Sequence, residues 1–115
     1  MPFSRGDVVL VLYPHSDQRT AKRRPALVVQ RNQLNTGIPQ IIVAMITSNL
    51  EVTNHPSRVY VAAVSIEGAA CGLKLDSAIS TDNLATIREE EFDKKMGTYP
   101  DMATIDAALR HTFGL

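Results

Sequence analysis

The stretch that most constrains this fold begins with three consecutive cations, Lys22, Arg23 and Arg24, and runs directly into the apolar, β-branched segment 25–29. Pro25 has a fixed φ and no backbone N–H, so it suits the first residue of a strand and favours an extended Arg24. We therefore expect Arg24 where a loop enters a sheet, a position from which a rigid scaffold presents functional groups to solvent. The three cations can equally form a solvated turn, because runs of charge usually lie at the surface.

The length and composition bound the class of protein. The 115 residues suffice for one domain, 1–115, and the 44% hydrophobic and 21% charged content is typical of a soluble globular protein. No signal-peptide core occurs, and no apolar run approaches the ~18 residues that cross a membrane, so we expect a cytoplasmic protein without membrane contacts. Cys71 is the one cysteine, which excludes an internal disulfide and a multi-cysteine metal site and predicts a buried small side chain.

The formal net charge of zero conceals an asymmetry. Residues 1–60 carry seven cationic and three anionic side chains, whereas acids concentrate at residues 89–93. A basic first half is compatible with a phosphate-bearing partner. Because the whole chain is not basic, we expect any contact with nucleic acid to be local.

Strand signals dominate the first three quarters of the chain. Continuous apolar runs at 8–12, 25–30 and 40–46 are bounded by turn-forming residues, and shorter strand patterns follow at 58–62 and 78–81. The last of these is expected to stop at Asp82. Gly68 and Gly72 bracket small residues that we interpret as a loop.

Helical spacing begins after Ile87. Phe92 and Met96 lie four residues apart before Gly97, which predicts a short helix over 88–95. Asp101 is a good N-cap for a second helix, whose apolar positions are Met102, Ile105 and Leu109. Strands first and helices last indicate an antiparallel sheet or small barrel with a C-terminal helix packed on it.

Polar side chains at the edges of the predicted strands are the candidates for chemistry. They are a guanidinium (Arg24), a hydroxyl pair (Thr47 and Ser48) and a carboxylate with an amide (Asp82 and Asn83). An arginine fork matches phosphate oxygens, a hydroxyl adds a donor and a carboxylate can accept a proton, so the set suits phosphoryl chemistry. The hydroxyls can equally cap a turn. The scattered histidines form no metal motif and no nucleotide-binding or serine-hydrolase motif occurs, so no metal and no cofactor is predicted.

Several motifs in order resemble one family. They are Gly6-Asp7-Val8-Val9, the Arg-Pro-Ala-Leu-Val-Val segment 24–29, Thr47-Ser48 at a strand end, the Asp-Asn-Leu-Ala-Thr-Ile segment 82–87, and the Leu-Arg-x-x-x-Gly-Leu close at 109–115. At this separation and chain length they resemble the MazF/PemK/Kid toxins of type II toxin-antitoxin modules. The resemblance spans nearly the whole chain.

That resemblance implies a mainly β fold with a C-terminal helix, an SH3-like, partly open β-barrel of the MazF/CcdB type, assembled as a homodimer. It implies a metal-independent endoribonuclease that cleaves single-stranded RNA by attack of the ribose 2′-OH on the adjacent phosphorus. The products would be a 2′,3′-cyclic phosphate and a 5′-OH. Arg24 and Thr47 would stabilise the phosphorane, and Asp82 would be the acidic residue of the catalytic set.

Further residues are expected to bind RNA. In the first loop and before the second strand these are His15, Gln18, Arg19, Lys22 and Arg23; at the later strand ends they are Ser48 and Asn83. Many family members carry a G-x-E-Q-like segment, some with a histidine, where this chain has residues 16–19. Gln18 stands at that histidine's place and His15 lies three residues earlier. The general base therefore stays open between Asp82, His15 and a direct role of the backbone or of water. Some members have an arginine two residues before the acid, where this chain has Ser80.

The same resemblance implies a cognate antitoxin, whose extended acidic tail would cover the first loop and Arg24, with DNA contacted only through that antitoxin. Two alternatives use the same barrel. The tail 112–115 loosely resembles the aromatic-Gly-aliphatic end of CcdB-type toxins, which bind DNA gyrase without catalysis. The other alternative is an inactive SH3-like interaction module.

Overall fold

The computed structural model describes residues 3–12 and 23–115. Six strands, two α-helices and one 3-10 turn occur in these ranges. In chain order they are β1 (Asp7–Leu12), β2 (Arg23–Val28), β3 (Gln40–Thr47), β4 (Arg58–Val61), α1 (Ile66–Cys71), β5 (Ser77–Arg88), the 3-10 turn (Glu89–Glu91), β6 (Phe92–Thr98) and α2 (Met102–Phe113).

All six strands form one sheet in the order β4-β5-β3-β2-β1-β6, and every neighbouring pair is antiparallel. The end strands β4 and β6 do not pair with each other within the described ranges, so the sheet stays open. The prediction of a mainly β fold with a C-terminal helix is confirmed. The first four predicted strands are found within two residues of their expected bounds.

The two faces of the sheet carry separate apolar clusters. One cluster joins Leu27, Ile46 and Ile79 to Ile105 and Ala108 of α2, all of them buried. The other comprises Val9, Val11, Ala26, Val28, Ile41, Val43 and Ile87, and no helix contributes to it. Because successive strand residues point to opposite faces, the continuous apolar runs of β1 to β3 supply both clusters at once.

The predicted helix over 88–95 is wrong. The chain continues as β5 to Arg88, makes the 3-10 turn and returns as β6, which pairs with β1 through two register shifts. Phe92 lies 5.1 Å from Phe3, ring centre to ring centre, so its apolar side chain packs on the sheet and not on a helix stripe. Gly97 is a strand residue whose missing side chain lets Ala70 and Cys71 of α1 approach.

The small-residue segment interpreted as a loop is helix α1. Ser65 caps it, because its hydroxyl accepts the N–H of Gly68 at 3.0 Å, and Gly72 ends it with φ of +74°. Cys71 at its end is fully buried, as predicted, and burial raises the pKa of its thiol to about 11.

The C-terminal helix α2 confirms the second helix prediction. Asp101 caps its first turn by accepting the N–H of Thr104, and Gly114 closes it with φ of +70°. Ile105 and Ala108 are buried against β4 and β5. Neither α-helix in the described ranges has the length and apolar character to cross a membrane.

Candidate functional site

The candidate site lies where β2 begins and β3 ends. These strands are antiparallel with Ala26 opposite Met45, and two more residues along each strand lead to Arg24 and Thr47. Side chains two residues apart share a face, so both residues continue the face of the sheet that carries no helix. Arg24 is half-buried opposite Val11 of β1. The predicted guanidinium and the predicted strand-end hydroxyl therefore start from the same edge and the same face.

A polar cavity of about 390 Å³ opens at this edge. Its described lining joins the end of β3, the following loop, β4 and β5, and consists of Met45, Thr47, Asn49, Glu51, Val52, Arg58, Ser80 and Asn83. Thr47 also fixes the loop, since its hydroxyl accepts the N–H of Asn49 at 3.0 Å. The turn-capping role left open for this hydroxyl is thus present together with its place in the cavity. Ser48 is exposed and is not among the lining residues.

Asp82 and Asn83 lie in a bulge of β5. The pairing with β3 passes from Ala44 opposite Leu84 to Met45 opposite Ser80, so the Cα register with β3 skips residues 81–83. The sequence predicted that the strand would stop here, whereas it continues to Arg88. A bulge of this kind turns side chains out of the regular alternation of a strand.

Arg58 holds Asp82 in a two-point ion pair. Its Nε donates to Oδ1 at 3.3 Å and its Nη2 donates to Oδ2 at 3.2 Å, while Nη1 donates to the carbonyl of Val52 at 3.2 Å. The hydrogen bond from Arg58 holds the pKa of the Asp82 carboxyl below its ordinary value, against a smaller opposing effect of burial. The carboxylate is therefore ionised at neutral pH, and its pairing makes it a weaker base than a free aspartate.

Asn83 follows on the same bulge and lines the cavity. Its amide Nδ2 lies 3.0 Å from the sulfur of Met45 on β3. The bulge thus places an ionised carboxylate and an amide beside each other, one against Arg58 and one against β3.

The sequence-predicted residues divide into three groups. The first group is at the cavity: Thr47 and Asn83 line it, and Asp82 is bound to the lining residue Arg58. The second group lies outside the lining, and in it Arg24 starts from the neighbouring strand end. Arg23 is exposed opposite Leu12 of β1. The third group lies outside the described residues and consists of His15, Gln18, Arg19 and Lys22.

Sequence reasoning missed Arg58. It was counted only as one of seven cations and as the start of a strand. The sequence signal that would have found it is the one that singled out Arg24, a cation at the first positions of a strand just after a turn. Its pairing with Ser80 across β4 and β5, which brings it to Asp82, is a contact between distant parts of the chain.

No group of three metal-binding side chains occurs in residues 3–12 and 23–115. The described residues offer cations, hydroxyls, amides and two acidic side chains, Glu51 on the cavity lining and Asp82 in its ion pair with Arg58. Such a set can hold a hydrogen-bonding ligand, and the positive charge that an anionic ligand requires comes from Arg23 and Arg24 at the start of β2.

Several solved structures share this fold of an open antiparallel sheet with a C-terminal helix. The Mycobacterium tuberculosis toxin MazF-mt6 superposes with a TM-score of 0.74 at 22% identity, covering 95% of this chain and 97% of that one. A mycobacterial endoribonuclease in complex with its cognate antitoxin gives 0.73 at 21% identity, covering 97% and 95%. A MazE-MazF structure from Deinococcus radiodurans gives 0.69 at 18% identity, covering 97% and 95%.

Sequence comparison gives the family. Residues 4–113 match the model of the PemK-like, MazF-like toxin of type II toxin-antitoxin system, and the chain belongs to that family. Endoribonuclease MazF6 of M. tuberculosis and endoribonuclease MazF2 of M. bovis are each 29% identical to it over 119 residues, with full coverage of both chains. The family resemblance drawn from the motifs is confirmed.

The C-terminal tail has a structural explanation that does not involve gyrase. Gly114 takes the left-handed conformation that ends α2, and its N–H bonds back to the helix. Phe113 and Leu115 are exposed beside it. The aromatic-Gly-aliphatic pattern is thus the ordinary sequence of a helix C-cap.

Proposed function

We propose that this chain is the toxin of a type II toxin-antitoxin module and acts as a metal-independent endoribonuclease on single-stranded RNA. Membership of the PemK-like, MazF-like family supports the toxin assignment. Two relatives of full length are named endoribonucleases, which supports the enzyme class. The observation that carries the proposal is the cavity at the strand edge, which Thr47, Asn83 and the Arg58–Asp82 pair share next to the start of β2.

The proposed reaction is a transesterification within the RNA. The ribose 2′-oxygen attacks the adjacent phosphorus, the P–O5′ bond breaks, and the products are a 2′,3′-cyclic phosphate and a 5′-OH. Arg24 and Thr47 donate hydrogen bonds to the oxygens on which charge develops, and such preorganised donors contribute most where water is excluded. The leaving O5′ takes a proton from the Arg24 guanidinium, which regains one from water, and Asp82 releases the 2′-OH proton to water, so no net proton is consumed.

Asp82 is the proposed acceptor of the proton from the 2′-OH. Its support is that it is ionised at neutral pH and held at the cavity by two hydrogen bonds. His15 is the other candidate that the sequence offers. The ordinary pKa values of aspartate and histidine lie about 2.6 units apart, so the pH dependence of the rate distinguishes the two candidates.

The remaining predicted residues are proposed to hold the RNA strand. Ser48 and Asn83 flank the catalytic set, and Arg23 extends the positive charge of Arg24 along β2. His15, Gln18, Arg19 and Lys22 complete the interface from the first loop. Unpaired bases are read by side chains of this kind from loops and strand ends. Because the proposed substrate is cellular RNA, we propose that the protein acts in the cytoplasm.

We further propose that the toxin is a homodimer and that its cognate antitoxin lays an acidic, extended tail over the first loop and Arg24. Solved relatives in complex with antitoxins support the existence of such a partner. In this arrangement DNA is contacted only through the antitoxin. A monomer at micromolar concentration in sedimentation would contradict the dimer.

The test is cleavage of a long single-stranded RNA in EDTA by the wild type, by Arg24→Ala and by Arg31→Ala. Arg31 is a matched control because it is an exposed arginine just past the opposite end of β2. We expect 5′-OH ends from the wild type and from Arg31→Ala, and none from Arg24→Ala. Intact RNA with a folded, antitoxin-free wild type would overturn the proposed activity, and equal cleavage by all three would remove Arg24 from the mechanism.

A further inference from the structure

Both members of the ion pair at the site follow directly after a buried hydroxyl. Arg58 is preceded by Ser57, which is 3% exposed, and Asp82 is preceded by Thr81, which is fully buried. The two hydroxyl residues are themselves in contact, although 24 positions separate them. The Thr81 hydroxyl donates to the carbonyl of Ser57 at 2.6 Å and the Thr81 N–H donates to the same carbonyl at 2.9 Å.

Helix α2 supplies the third hydroxyl of this group. Thr112 Oγ1 lies 2.8 Å from Thr81 Oγ1 and 2.7 Å from Ser57 Oγ. The same atom bonds to the carbonyl of Ala108 at 2.9 Å, one turn earlier in the helix. Ser57, Thr81 and Thr112, which we call the hydroxyl cluster, therefore tie the end of α2 to β4 and to the bulge of β5.

The bulge needs such an anchor. Thr81 and Asp82 have no Cα partner in the register of β5 with β3, so backbone pairing with β3 does not fix them. Of residues 81–83, only Thr81 is buried, whereas Asp82 and Asn83 are exposed. Asn83 contacts Met45 of β3, whereas the backbone position of Asp82 depends on how firmly the preceding Thr81 is held.

The turn before β4 is held in the same way. The N–H of Ser57 donates to Nδ1 of His55 at 3.0 Å, and the N–H of Arg58 donates to the carbonyl of His55 at 2.9 Å. Arg58 thus leaves a turn whose last residue is fastened to Thr81. The hydroxyl cluster fixes both ends of the ion pair from the opposite side of the sheet.

We propose that the hydroxyl cluster of Ser57, Thr81 and Thr112 positions Arg58 and Asp82 for RNA cleavage, and that Thr81 is its central positioning residue. This inference rests on the proposed function for its catalytic meaning. None of the three hydroxyls lines the cavity, so they act through their sequence neighbours and not on the RNA. Directed hydrogen bonds give the orientation that apolar packing of equal volume does not provide.

The test compares Thr81→Val with Thr81→Ser, using Thr86→Val as the matched control. Valine keeps the shape of threonine and removes the hydroxyl, whereas serine keeps the hydroxyl. Thr86 is an exposed threonine of the same strand on the far side of the bulge. The first readout needs no RNA. It is the pKa of Asp82, measured by a carbon NMR titration of its carboxyl group in the intact protein.

In the wild type the pKa of Asp82 is expected below its ordinary value because of Arg58. In Thr81→Val the pKa of Asp82 should rise by at least half of the difference between its wild-type value and the ordinary aspartate value. In Thr81→Ser and Thr86→Val it should stay at the wild-type value. An unchanged pKa in a folded Thr81→Val would overturn the proposal. If that variant fails to fold, Thr112→Val gives the same comparison at a half-buried position.

The second readout is cleavage. We expect kcat to fall about 10- to 100-fold in Thr81→Val with KM little changed, because misplacing a reacting group by about an ångström costs up to that factor. Thr81→Ser should recover most of the rate. A wild type that does not cleave RNA would refute the proposed function while the NMR comparison still decides whether the cluster positions the pair. A kcat that stays at the wild-type value while the pKa moves would refute the catalytic role alone.

Discussion

Arg58 and Asp82 face each other with two parallel donor–acceptor contacts, Nε to Oδ1 at 3.3 Å and Nη2 to Oδ2 at 3.2 Å. They come from different strands, β4 and the bulge of β5, so the pair joins two elements as well as two charges. The side chains are 28% and 40% exposed, and an ion pair this accessible contributes at most about 1 kcal/mol to stability. We therefore interpret the two-point contact as a means of orienting the Asp82 carboxylate, since it adds little to the free energy of folding.

The first prediction is that Arg58→Lys separates orientation from charge. A lysine keeps the positive charge but cannot span both carboxylate oxygens. Because Asp82 would then be held at one point only, its carboxylate should be misplaced, and kcat/KM for RNA cleavage should fall by up to about 100-fold. The free energy of unfolding in urea should change by less than about 1 kcal/mol.

Arg31→Lys is the matched control for that variant. Arg31 is an exposed arginine beyond the end of β2 that lies away from the cavity. It should leave both kcat/KM and the unfolding free energy at the wild-type values. If Arg58→Lys cleaved RNA as fast as the wild type, the two-point contact would have no part in the reaction.

The second prediction concerns pH. The hydrogen bond from Arg58 lowers the pKa of Asp82, so this group takes up a proton only below the ordinary range of an aspartate. If Asp82 accepts the 2′-OH proton, its active, ionised form is fully present at neutral pH and is lost only as the pH falls through that lowered value. The rate of cleavage should then be flat from about pH 5 to pH 8.

A histidine acceptor predicts a different profile. The rate would rise with pH through about 6.5, where an ordinary imidazole loses its proton. Such a limb in the wild type, absent from His15→Gln, would transfer the role of base from Asp82 to His15. Measuring initial rates of both proteins on one RNA across this range decides between them.

The sequence predicted the parts of the fold that local chemistry determines. Strands β1 to β3 are continuous apolar runs between turn formers, and α2 has both a cap at Asp101 and regular apolar spacing. The helix prediction for 88–95 was wrong because Phe92 and Met96, four residues apart, also fit one face of a helix. The strand conformation of this segment comes from pairing with β1 at the other end of the chain, through two register shifts that no local pattern records.

The same division holds for the candidate site. Thr47, Asp82 and Asn83 were found because each follows or interrupts a strand pattern. Arg58 was not, because its relation to Asp82 depends on the pairing of β4 with β5 and on a bulge. Helix α1 was missed for another reason, since six residues containing Gly68 and two alanines give too short a pattern to distinguish from a loop.

The third prediction is that Cys71 is unreactive in the folded chain. Burial, with the charge of Glu67 adding to it, raises the pKa of its thiol to about 11. Since only the thiolate reacts, alkylation by iodoacetamide at about pH 8 should be at least about 100-fold slower in the folded protein than in urea. A cysteine at the exposed position 103, as Ala103→Cys with Cys71→Ala, provides the reactive control. Equal rates for that variant and for folded Cys71 would contradict the burial of the thiol.

The fourth prediction tests the packing of α1 on β6. Strand β6 occupies part of the segment 88–95, where the sequence predicted a helix. A Cβ added at Gly97 would lie 2.1 Å from the carbonyl oxygen of Ala70 and 2.7 Å from the carbonyl carbon of Cys71. Both are backbone atoms, so the helix must move and not merely a side chain. We expect Gly97→Ala to lower the free energy of unfolding by about 2–3 kcal/mol.

The control is Gly37→Ala, where an added Cβ meets nothing within 4 Å and only the positive φ of +83° opposes it. That cost should stay near or below about 1 kcal/mol. Hydrogen exchange adds a local readout, because in Gly97→Ala the amides of α1 should lose protection before those of α2, which packs elsewhere on the sheet. If the two glycine variants unfolded at the same urea concentration and α1 kept its protection, the close packing of α1 on β6 would be refuted.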